Sequence, residues 1–353
     1  MSSAGFHDKP FDEGTLTKLD IFELYTREWL PVFLAKADSR WAEIHIYDFF
    51  SGPGADSKGR PGSPLRLVRQ LNTAARRYKG WASVATHLHL SDADPEATLR
   101  LKENLGTATV PEGVNLDVRA AEFSVALSDA SKVLKRPNVA KLILIDQFGV
   151  GQVADDRFQS LVDYPSCDFL FFISSSILNR FHDHPAIKQK ILRPNDHYHV
   201  HRAVLDYYRS LVPASLTYFL APFSIKKGSN VYGIVFGSSS PLGIEKFLQV
   251  AWKKDELNGE ADFDIDRNNF QMSLLRPTKV AAFEEELERG VREGAITDER
   301  GVLLMVFRHG VKRQHAAPVI KKLSNDFSFA FSVPQVDGFR SPRPILRRMG
   351  RLF

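Results

Sequence analysis

The sequence predicts an α/β protein with a mostly parallel sheet, followed by a smaller helical domain. Short apolar runs alternate with helix-length amphipathic segments. One run, residues 169–173, is nearly all apolar, as expected of a strand buried on both faces. Two later runs, residues 216–221 and 231–236, lie too close together for a helical crossover, so they should pair antiparallel. A mostly parallel sheet completed by an antiparallel hairpin is the plan of the Rossmann-like class I methyltransferase fold.

The individual elements follow from hydrophobic spacing and helix-start signals. Residues 15–36 carry apolar side chains at helical intervals. A second helix should begin with Ser63 as its N-cap and Pro64 in its first turn, and should run to about Tyr78. Residues 222–230, between the last two strands, have turn chemistry. The other predicted elements are strands at residues 85–91, 114–118 and 141–145 and helices at residues 96–105 and 241–254.

The C-terminal part of the chain is organised differently. Residues 258–278 are predicted to be a linker, and three short helices should follow at residues 279–293, 297–308 and 314–325. The alternating run 327–333 predicts an edge strand or wing, so this domain should be a winged helix-turn-helix whose third helix enters a groove. The predicted domains are residues 1–257 (methyltransferase-like), 258–278 (linker), 279–338 (winged helix-turn-helix) and 339–353 (Arg-rich tail).

The composition narrows the class of protein. Over 353 residues it is 43% hydrophobic and 25% charged, an ordinary soluble globular profile. No apolar run reaches the roughly 20 residues that cross a bilayer, and the N-terminus has no signal-peptide pattern. No membrane association is therefore expected. The single cysteine, Cys167, excludes an internal disulfide and a cysteine-based metal site. Together these features predict a cytoplasmic protein.

Positive charge is concentrated towards the C-terminus. The formal net charge is +5, and residues 339–353 alone hold five arginines and no acid. We therefore predict nucleic-acid contacts, with DNA favoured over RNA, from Lys312, Arg313, Lys321 and Lys322. A solubilising face, with a tail that docks a protein partner, is the alternative.

The most informative stretch is the glycine turn, residues 51–54, which follows the first predicted strand. The strand carries Asp48 near its end, and the turn contains Gly52 and Gly54. Such a turn seats a nucleotide-like cofactor in α/β proteins, because glycine lets the backbone approach the ligand. The predicted hairpin favours S-adenosylmethionine (SAM), with Asp48 holding its amino group; an ordinary strand-to-helix turn is the alternative. The extra residues 55–61 weaken the expectation that the next helix cradles the ligand itself.

Acids after the next two strands complete the predicted cofactor site. Asp92 follows the second strand, where a carboxylate accepts the ribose hydroxyls of an adenosine cofactor. Asp94 is a weaker candidate, and both residues could instead cap the following helix. Glu122 and Phe123 follow the third strand, where an acid near the adenine amine and an apolar neighbour are expected. An exposed glutamate and a core phenylalanine are the alternative.

The fourth strand ends in Asp146, Gln147, Phe148 and Gly149, at the sheet edge where open α/β folds place their chemistry. Amino-methyltransferases have an Asp/Asn-Pro-Pro-aromatic turn here, which grips the target amine and stacks on a flipped base. Asp146 and Phe148 map onto that plan as candidate catalytic residues. The prolines are absent, so amine methylation and a plain turn both stay open.

Taken together, these segments resemble the three-Cys-motif partner (TcmP) family. The matching pieces, in family order, are LTKLDIFELYTREWL, YDFFSGPG with GSPLRL, LILIDQFGV, FLFFISSSILNRF and NVYGIVFGSS. The resemblance implies a methyltransferase-like core fused to a winged helix. It also implies a partner protein that carries three cysteines and is itself similar to radical-SAM proteins. Where the family often has Asp-Pro-Phe-Gly, this chain has Gln147 after Asp146.

The leading functional hypothesis is a SAM-binding, methyltransferase-like enzyme that acts at nucleic acid together with that partner. A catalytically silent nucleic-acid-binding adaptor is the alternative, because Gln147 departs from the family pattern and no strong acid/base constellation is evident. A metal-dependent nuclease built on Asp146 and the five histidines within residues 182–201 is a weaker alternative. The spacing of those histidines matches no standard site, so no metal is predicted.

Overall fold

The computed structural model describes residues 9–146, 155–173, 200–227, 230–256, 259 and 279–348. By contact the chain divides into two compact units, Met1–Ser240 and Pro241–Phe353. The elements of the first unit are α1 (Glu13–Leu34), β1 (Glu43–Asp48), α2 (Ser63–Arg77), β2 (Ala85–Asp92), α3 (Pro95–Thr107), β3 (Val114–Ala120), α4 (Phe123–Leu134), β4 (Val139–Ile145), α5 (Asp155–Asp163), β5 (Cys167–Ile173), α6 (Val200–Leu211), β6 (Phe219–Lys227) and β7 (Asn230–Ser238).

The first unit is built on one seven-stranded sheet in the order β3-β2-β1-β4-β5-β7-β6. The first five strands run parallel, and β7 is antiparallel to both β5 and β6. This arrangement confirms the predicted α/β class, with a mostly parallel sheet closed by an antiparallel hairpin. The last residue of β1, Asp48, pairs with Leu144 of β4 and Leu90 of β2, so these three strands end at the same edge.

Strand parity decides which side chains face which helices. Ile143 and Ile145 pack with α4 and α5 in one apolar core. Because successive strand residues face opposite sides of a sheet, Leu142 and Leu144 face the other way, where α1 packs against β4, β6 and α2. Asp48 and Asp146 have the same parity as Leu144, so they lie on the α1 side.

Two local expectations were wrong. Ser63 is the first helical residue of α2, and Gly62 is the N-cap. The segment expected to be a turn, residues 222–230, is mostly strand: β6 continues to Lys227 because Phe223 and Ile225 alternate into the core. None of the described helices combines the length and the apolar character needed to cross a membrane.

In the part of the second unit that the structure describes, four α-helices and a small sheet are present. Its elements are α7 (Pro241–Lys254), α8 (Lys279–Arg292), α9 (Glu299–His309), a 3-10 turn (Arg313–Ala316), α10 (Ala317–Leu323), β8 (Phe327–Phe329), a 3-10 turn (Val336–Phe339) and β9 (Ile345–Arg347). Strands β8 and β9 pair antiparallel. Ile345 also donates a backbone hydrogen bond to Thr297, at 2.7 Å, so the segment before α9 lies beside β9.

The boundaries of the second unit differ from the predicted ones. The first domain was expected to extend to residue 257, but α7 groups with the second unit. Trp252 of α7 donates its indole N–H to the Gly310 carbonyl at 3.0 Å, and Glu245 of α7 pairs with Arg313. The predicted linker 258–278 lies outside the described residues apart from Gly259.

Within the predicted Arg-rich tail, residues 339–353, the described residues 339–348 pack on the second unit. They include β9, and the Arg343 guanidinium makes a two-pronged ion pair with Glu299, whose side chain is fully buried. Arg348 adds a backbone hydrogen bond to the Asp326 carbonyl. The segment is thus part of the folded unit at least as far as residue 348.

Candidate cofactor-binding site

The glycine turn leaves β1 in a conformation that only glycine adopts readily. Gly52 and Gly54 have φ angles of 55° and 84°, in the left-handed region. A Cβ on Gly54 would lie 2.8 Å from Cδ1 of Leu101, closer than packed carbons approach. Both the backbone angle and the neighbouring side chain therefore require glycine at residue 54.

The extra residues 55–61 form a separate loop on this turn. The Gly62 amide donates to the Gly54 carbonyl at 2.7 Å and closes the base of the loop. Within it, the Asp56 carboxylate accepts hydrogen bonds from the Phe11, Lys58 and Arg60 amides and from the Arg60 guanidinium. The extra residues thus loop out, and α2 begins next to the glycine turn. The insertion therefore does not separate the N-terminus of α2 from the glycine turn.

Asp48 is a fully buried carboxylate at the end of β1. Its Oδ1 accepts a hydrogen bond from the Phe50 amide at 3.2 Å, whereas its Oδ2 has no partner among the described residues. Burial raises the pKa of Asp48 to about 7, against the lowering effects of the nearby Ser63 side chain and of the hydrogen bond from the Phe50 amide. The carboxylates of Asp146 and Asp92 raise it further.

Asp146 forms a buried ion pair that sequence reasoning missed. Its Oδ2 lies 2.5 Å from Nζ of Lys18 on α1, and the two side chains are 7% and 2% exposed. Oδ1 of Asp146, like Oδ2 of Asp48, has no hydrogen-bond partner within the described parts of the chain. The signal was present: Lys18 is four residues before Phe22 and seven before Tyr25, on the buried stripe of α1.

Asp92 braces the glycine turn. Its Oδ2 accepts from the Gly52 amide at 2.8 Å, and its Oδ1 accepts from the Asp94 amide at 3.0 Å. Each carboxylate oxygen can accept a second hydrogen bond, so Asp92 keeps acceptor capacity for a ribose hydroxyl. Asp94 is the N-cap of α3 and accepts from the Glu96 amide. Of the two acids, Asp92 is the one that touches the glycine turn.

The remaining predicted site residues differ in their surroundings, and some of them lie outside the described residues. Glu122 is exposed and is the N-cap position of α4 without a side-chain cap, while Phe123 is buried against Phe49 and Phe50. Phe123 is therefore a core residue. Gln147, Phe148 and Gly149 and the histidine-rich segment 182–199 lie outside the described residues.

The four basic residues predicted to contact nucleic acid have different surroundings. The Arg313 guanidinium donates to the Glu245 carboxylate at 2.5 Å and to the Pro334 carbonyl at 2.6 Å. Its donors are therefore engaged within the protein, which does not favour the predicted contact with nucleic acid. Nζ of Lys312 lies 5.5 Å from the centre of the Trp252 ring. Lys322 is exposed and pairs with Glu288. Lys321 is exposed on α10.

At the sheet edge, two buried carboxylates each keep one oxygen that has no donor among the described residues. Buried polar atoms are nearly always hydrogen-bonded, so two such acceptors in one place call for an explanation. Asp48 and Asp146 lie on neighbouring parallel strands, and Asp146 is close enough to raise the pKa of Asp48. Lys18 offsets one of the two negative charges. The arrangement can receive a cationic or hydrogen-bond-donating ligand.

Comparisons with known proteins identify no family for this chain. No protein-family model matches it, and no curated protein matches it. A Legionella pneumophila protein of the family DUF519 is 13% identical with a TM-score of 0.38, over 62% of this chain and 84% of that one. An Agrobacterium tumefaciens SAM-dependent methyltransferase is 8% identical with a TM-score of 0.36, over 65% and 63%. A Bacillus cereus O-methyltransferase in complex with SAH is 12% identical with a TM-score of 0.36, over 65% and 82%. At these TM-scores the likenesses carry no argument about function.

Proposed function

We propose that the first unit binds SAM at the glycine turn, as a methyltransferase-like protein. The observation that carries this proposal is the buried Oδ2 of Asp48 at the end of β1, an acceptor that no donor within the described residues reaches. The α-ammonium of SAM donates hydrogen bonds and carries a positive charge, so it would satisfy this oxygen. The left-handed Gly52 and Gly54 leave backbone open beside it, where a side chain would intrude.

The residues present fit this ligand in three ways. Asp48 would accept hydrogen bonds from the ammonium, and Asp92 would accept from the ribose hydroxyls while it holds the Gly52 amide. Glu122, exposed at the start of α4, is retained as a proposed contact to the adenine amine. When bound, SAM supplies an electrophilic methyl group. The chain's own residues hold the ligand and fix the turn.

Charge balance favours the same ligand. The buried pair Asp48 and Asp146 carries two negative charges when ionised, and Lys18 neutralises one of them. An isolated buried charge is unfavourable, so a ligand with one net positive charge is stabilised here. SAM, with an ammonium, a sulfonium and a carboxylate, has that charge.

We further propose that the second unit is a winged helix that binds nucleic acid, with DNA favoured over RNA. Three helices, α8 to α10, are followed by the β8–β9 pair, and the segment at Thr297 lies beside β9, in the manner of a wing. Exposed basic side chains on α10 and around β9 would meet phosphates. They are Lys321, Lys322, Arg340, Arg347 and Arg348.

The proposed partner is a protein carrying three cysteines, as the resemblance to the TcmP family implies, and the proposed compartment is the cytoplasm. Co-expression of the two chains followed by size-exclusion chromatography tests the partnership. Separate elution of the two proteins would contradict it.

Calorimetric titration of the full chain with SAM tests cofactor binding. We expect Asp48→Asn and Asp92→Asn each to weaken binding about 10- to 100-fold, since a hydrogen bond to a charged group contributes about 1.5–3 kcal/mol. Asp94→Asn is the matched control, because asparagine also caps helices well. Wild-type protein that gives no heat at millimolar SAM would overturn the proposal.

Fluorescence anisotropy with a labelled DNA duplex tests the second unit. Truncation after Gly338 would remove β9 and Arg343 and is therefore a poor probe. The better variant replaces Arg340, Arg347 and Arg348 with alanine and keeps the fold. We expect weaker affinity and a shallower dependence on salt. Unchanged affinity and slope would remove these arginines from the interface.

One observation favours a second candidate, a catalytically silent adaptor. Lys18 occupies Oδ2 of Asp146, which reduces its capacity to grip a substrate amine. An assay with methyl-labelled SAM and DNA or RNA separates the two candidates. Label transferred to nucleic acid identifies an enzyme; SAM binding without transfer, in the presence of the partner, favours the adaptor. The metal-dependent nuclease would use Asp146 and the histidines of residues 182–201, of which residues 182–199 lie outside the described residues.

A further inference from the structure

Three histidines on β1 and β2 come together on the face of the sheet opposite to Asp48. His45 pairs in register with His87, and His89 is two residues further along β2. The ring centroids of His45 and His87 are 4.1 Å apart and those of His45 and His89 are 5.3 Å apart, with the rings nearly parallel. One ring nitrogen from each residue lies within 4.8 Å of the other two. Sequence reasoning missed this cluster because its members are far apart in the chain.

Two carboxylates orient the rings. Nε2 of His45 lies 3.1 Å from Glu43, and Nδ1 of His89 lies 3.6 Å from Asp117. If each carboxylate takes the N–H beside it, the opposite nitrogens, Nδ1 of His45 and Nε2 of His89, both present lone pairs. Those two nitrogens are only 3.0 Å apart. A proton on one of them makes this contact a hydrogen bond, whereas a metal ion between them would use both lone pairs.

We propose that His45, His87 and His89 form a binding site for a divalent transition-metal ion, best suited to Zn²⁺. Neutral imidazole is a preferred zinc ligand, and two such ligands at 2.0–2.1 Å in a tetrahedral site have nitrogens about 3.4 Å apart. Nδ1 of His45 and Nε2 of His89, 3.0 Å apart, need only a small ring movement to reach that value, whereas the His87 ring, stacked on His45, must rotate to point a nitrogen at the same ion. Glu43 would act as the outer carboxylate that fixes the His45 ring, as is common for metal-bound histidines.

The surroundings are compatible with a cation, although positive groups are close. Arg136 is already paired with Glu43, and the ammonium of Lys141, the register partner of His45 on β4, donates to the Arg136 carbonyl at 2.6 Å. Water would supply the fourth ligand, because Asp117 lies beside Nδ1 of His89, away from the proposed ion. His45 is 4% exposed, whereas His87 and His89 are half-buried, so an ion could enter from their side. This site does not depend on SAM binding.

Metal content of the full chain, purified without a histidine tag, tests the proposal. We expect one equivalent of zinc by mass spectrometry of the wild-type protein. After chelation, titration with Zn²⁺ should restore it and raise the thermal midpoint, because a ligand that binds only the folded state stabilises it. Wild-type protein that takes up less than about a tenth of an equivalent would overturn the proposal before any variant is made.

Variants then locate the ion. His87→Gln and His89→Gln should each weaken zinc binding at least about tenfold, and Glu43→Gln about 10- to 100-fold, as for other outer carboxylates. A matched control replaces the five histidines in the range 182–201 with glutamine and should keep full binding. Loss of zinc in that control, with retention in His87→Gln and His89→Gln, would place the ion elsewhere and refute the site. Circular dichroism checks that each variant is folded.

Discussion

The ammonium of Lys18 lies 2.5 Å from the Asp146 carboxylate, and both side chains are buried. This pair joins α1 to the edge of the sheet where β4 ends. The Lys18 nitrogen also lies 4.7 Å from the centre of the Phe172 ring on β5. A helix that precedes the sheet in sequence therefore supplies a charge at the candidate site, and α1 is part of that site rather than an accessory to the fold.

Replacement of Lys18 by methionine should destabilise the protein strongly. It leaves Asp146 buried without a counter-charge, which costs about 3–5 kcal/mol in comparable pairs. The double variant Lys18→Met/Asp146→Leu should recover most of that loss, because neither charge of the pair is then left buried alone. Urea unfolding measures both. Lys322→Met, which breaks an exposed pair at the same 2.5 Å distance, is the control and should change little. A double variant no more stable than Lys18→Met would contradict this account.

Replacement of Asp48 by asparagine should stabilise the ligand-free protein at high pH. The folded-state pKa of Asp48 is raised to about 7, so its contribution to stability is fully present below about pH 4 and is lost as pH rises through 7. Asparagine removes that loss. We expect the advantage of Asp48→Asn over wild type to grow by about 2–3 kcal/mol from pH 5 to pH 8. Urea midpoints at the two pH values test this, with Asp94→Asn as the control; a constant difference would contradict it.

The affinity for SAM should rise with pH, whereas the contribution of Asp48 to folding stability falls with pH. The ammonium of the ligand binds ionised Asp48, and below pH 7 a proton must first leave that carboxyl group. We expect the affinity to fall roughly 50-fold between pH 7 and pH 5. Calorimetry in buffers of different ionisation enthalpy should also detect proton release near pH 6. An affinity independent of pH would indicate that SAM does not contact Asp48.

Alanine substitutions at two glycines separate the cost of backbone strain from the cost of crowding by a neighbouring side chain. Both Gly54 and Gly59 have positive φ, so alanine at either residue should cost about 1–2 kcal/mol. Only at Gly54 would the new Cβ meet another side chain, Leu101, which adds about 1–3 kcal/mol. We expect Gly54→Ala alone to impair SAM binding as well. Equal urea midpoints for the two variants would contradict the crowding argument.

Arg343 and Arg347 should play different roles although both lie in the basic C-terminal segment. Arg343→Ala removes the counter-charge of buried Glu299 and should lower the thermal midpoint of unfolding. Arg347→Ala, at an exposed residue of β9, should leave the midpoint unchanged and weaken DNA binding. The two variants keep the same net charge, so equal losses of DNA affinity with equal midpoints would refute the distinction.

The sheet could be predicted because each strand is a local signal. The apolar run at β5 and the short gap before β7 were enough to give the mostly parallel class. Helices α4, α5 and α6 were not predicted, and β6 was predicted too short because its Pro222 and Lys226 suggest a turn. The bounds of these elements depend on the residues that they pack against, which the spacing of apolar residues alone does not reveal.

Among the predicted candidates, the structure brings together those that lie at strand ends. Asp48, Asp92 and Asp146 lie near one another because the ends of parallel strands meet at one edge. Lys18 and the partner of Arg313 were missed, since each contact joins elements more than 60 residues apart in the chain. The histidine cluster is of the same kind: its members become neighbours only once β1 and β2 pair.

The loop of residues 55–61 is held by its own hydrogen bonds and by a contact to Phe11. Asp56 accepts from the Lys58 and Arg60 amides within the loop and from the Phe11 amide outside it, and a backbone hydrogen bond from Gly62 to Gly54 closes its base. Residues 57–59 at its tip are exposed. A fluorophore, an epitope or a longer peptide can therefore be grafted at the tip to report on the neighbouring turn, while Asp56 and its contacts are left in place.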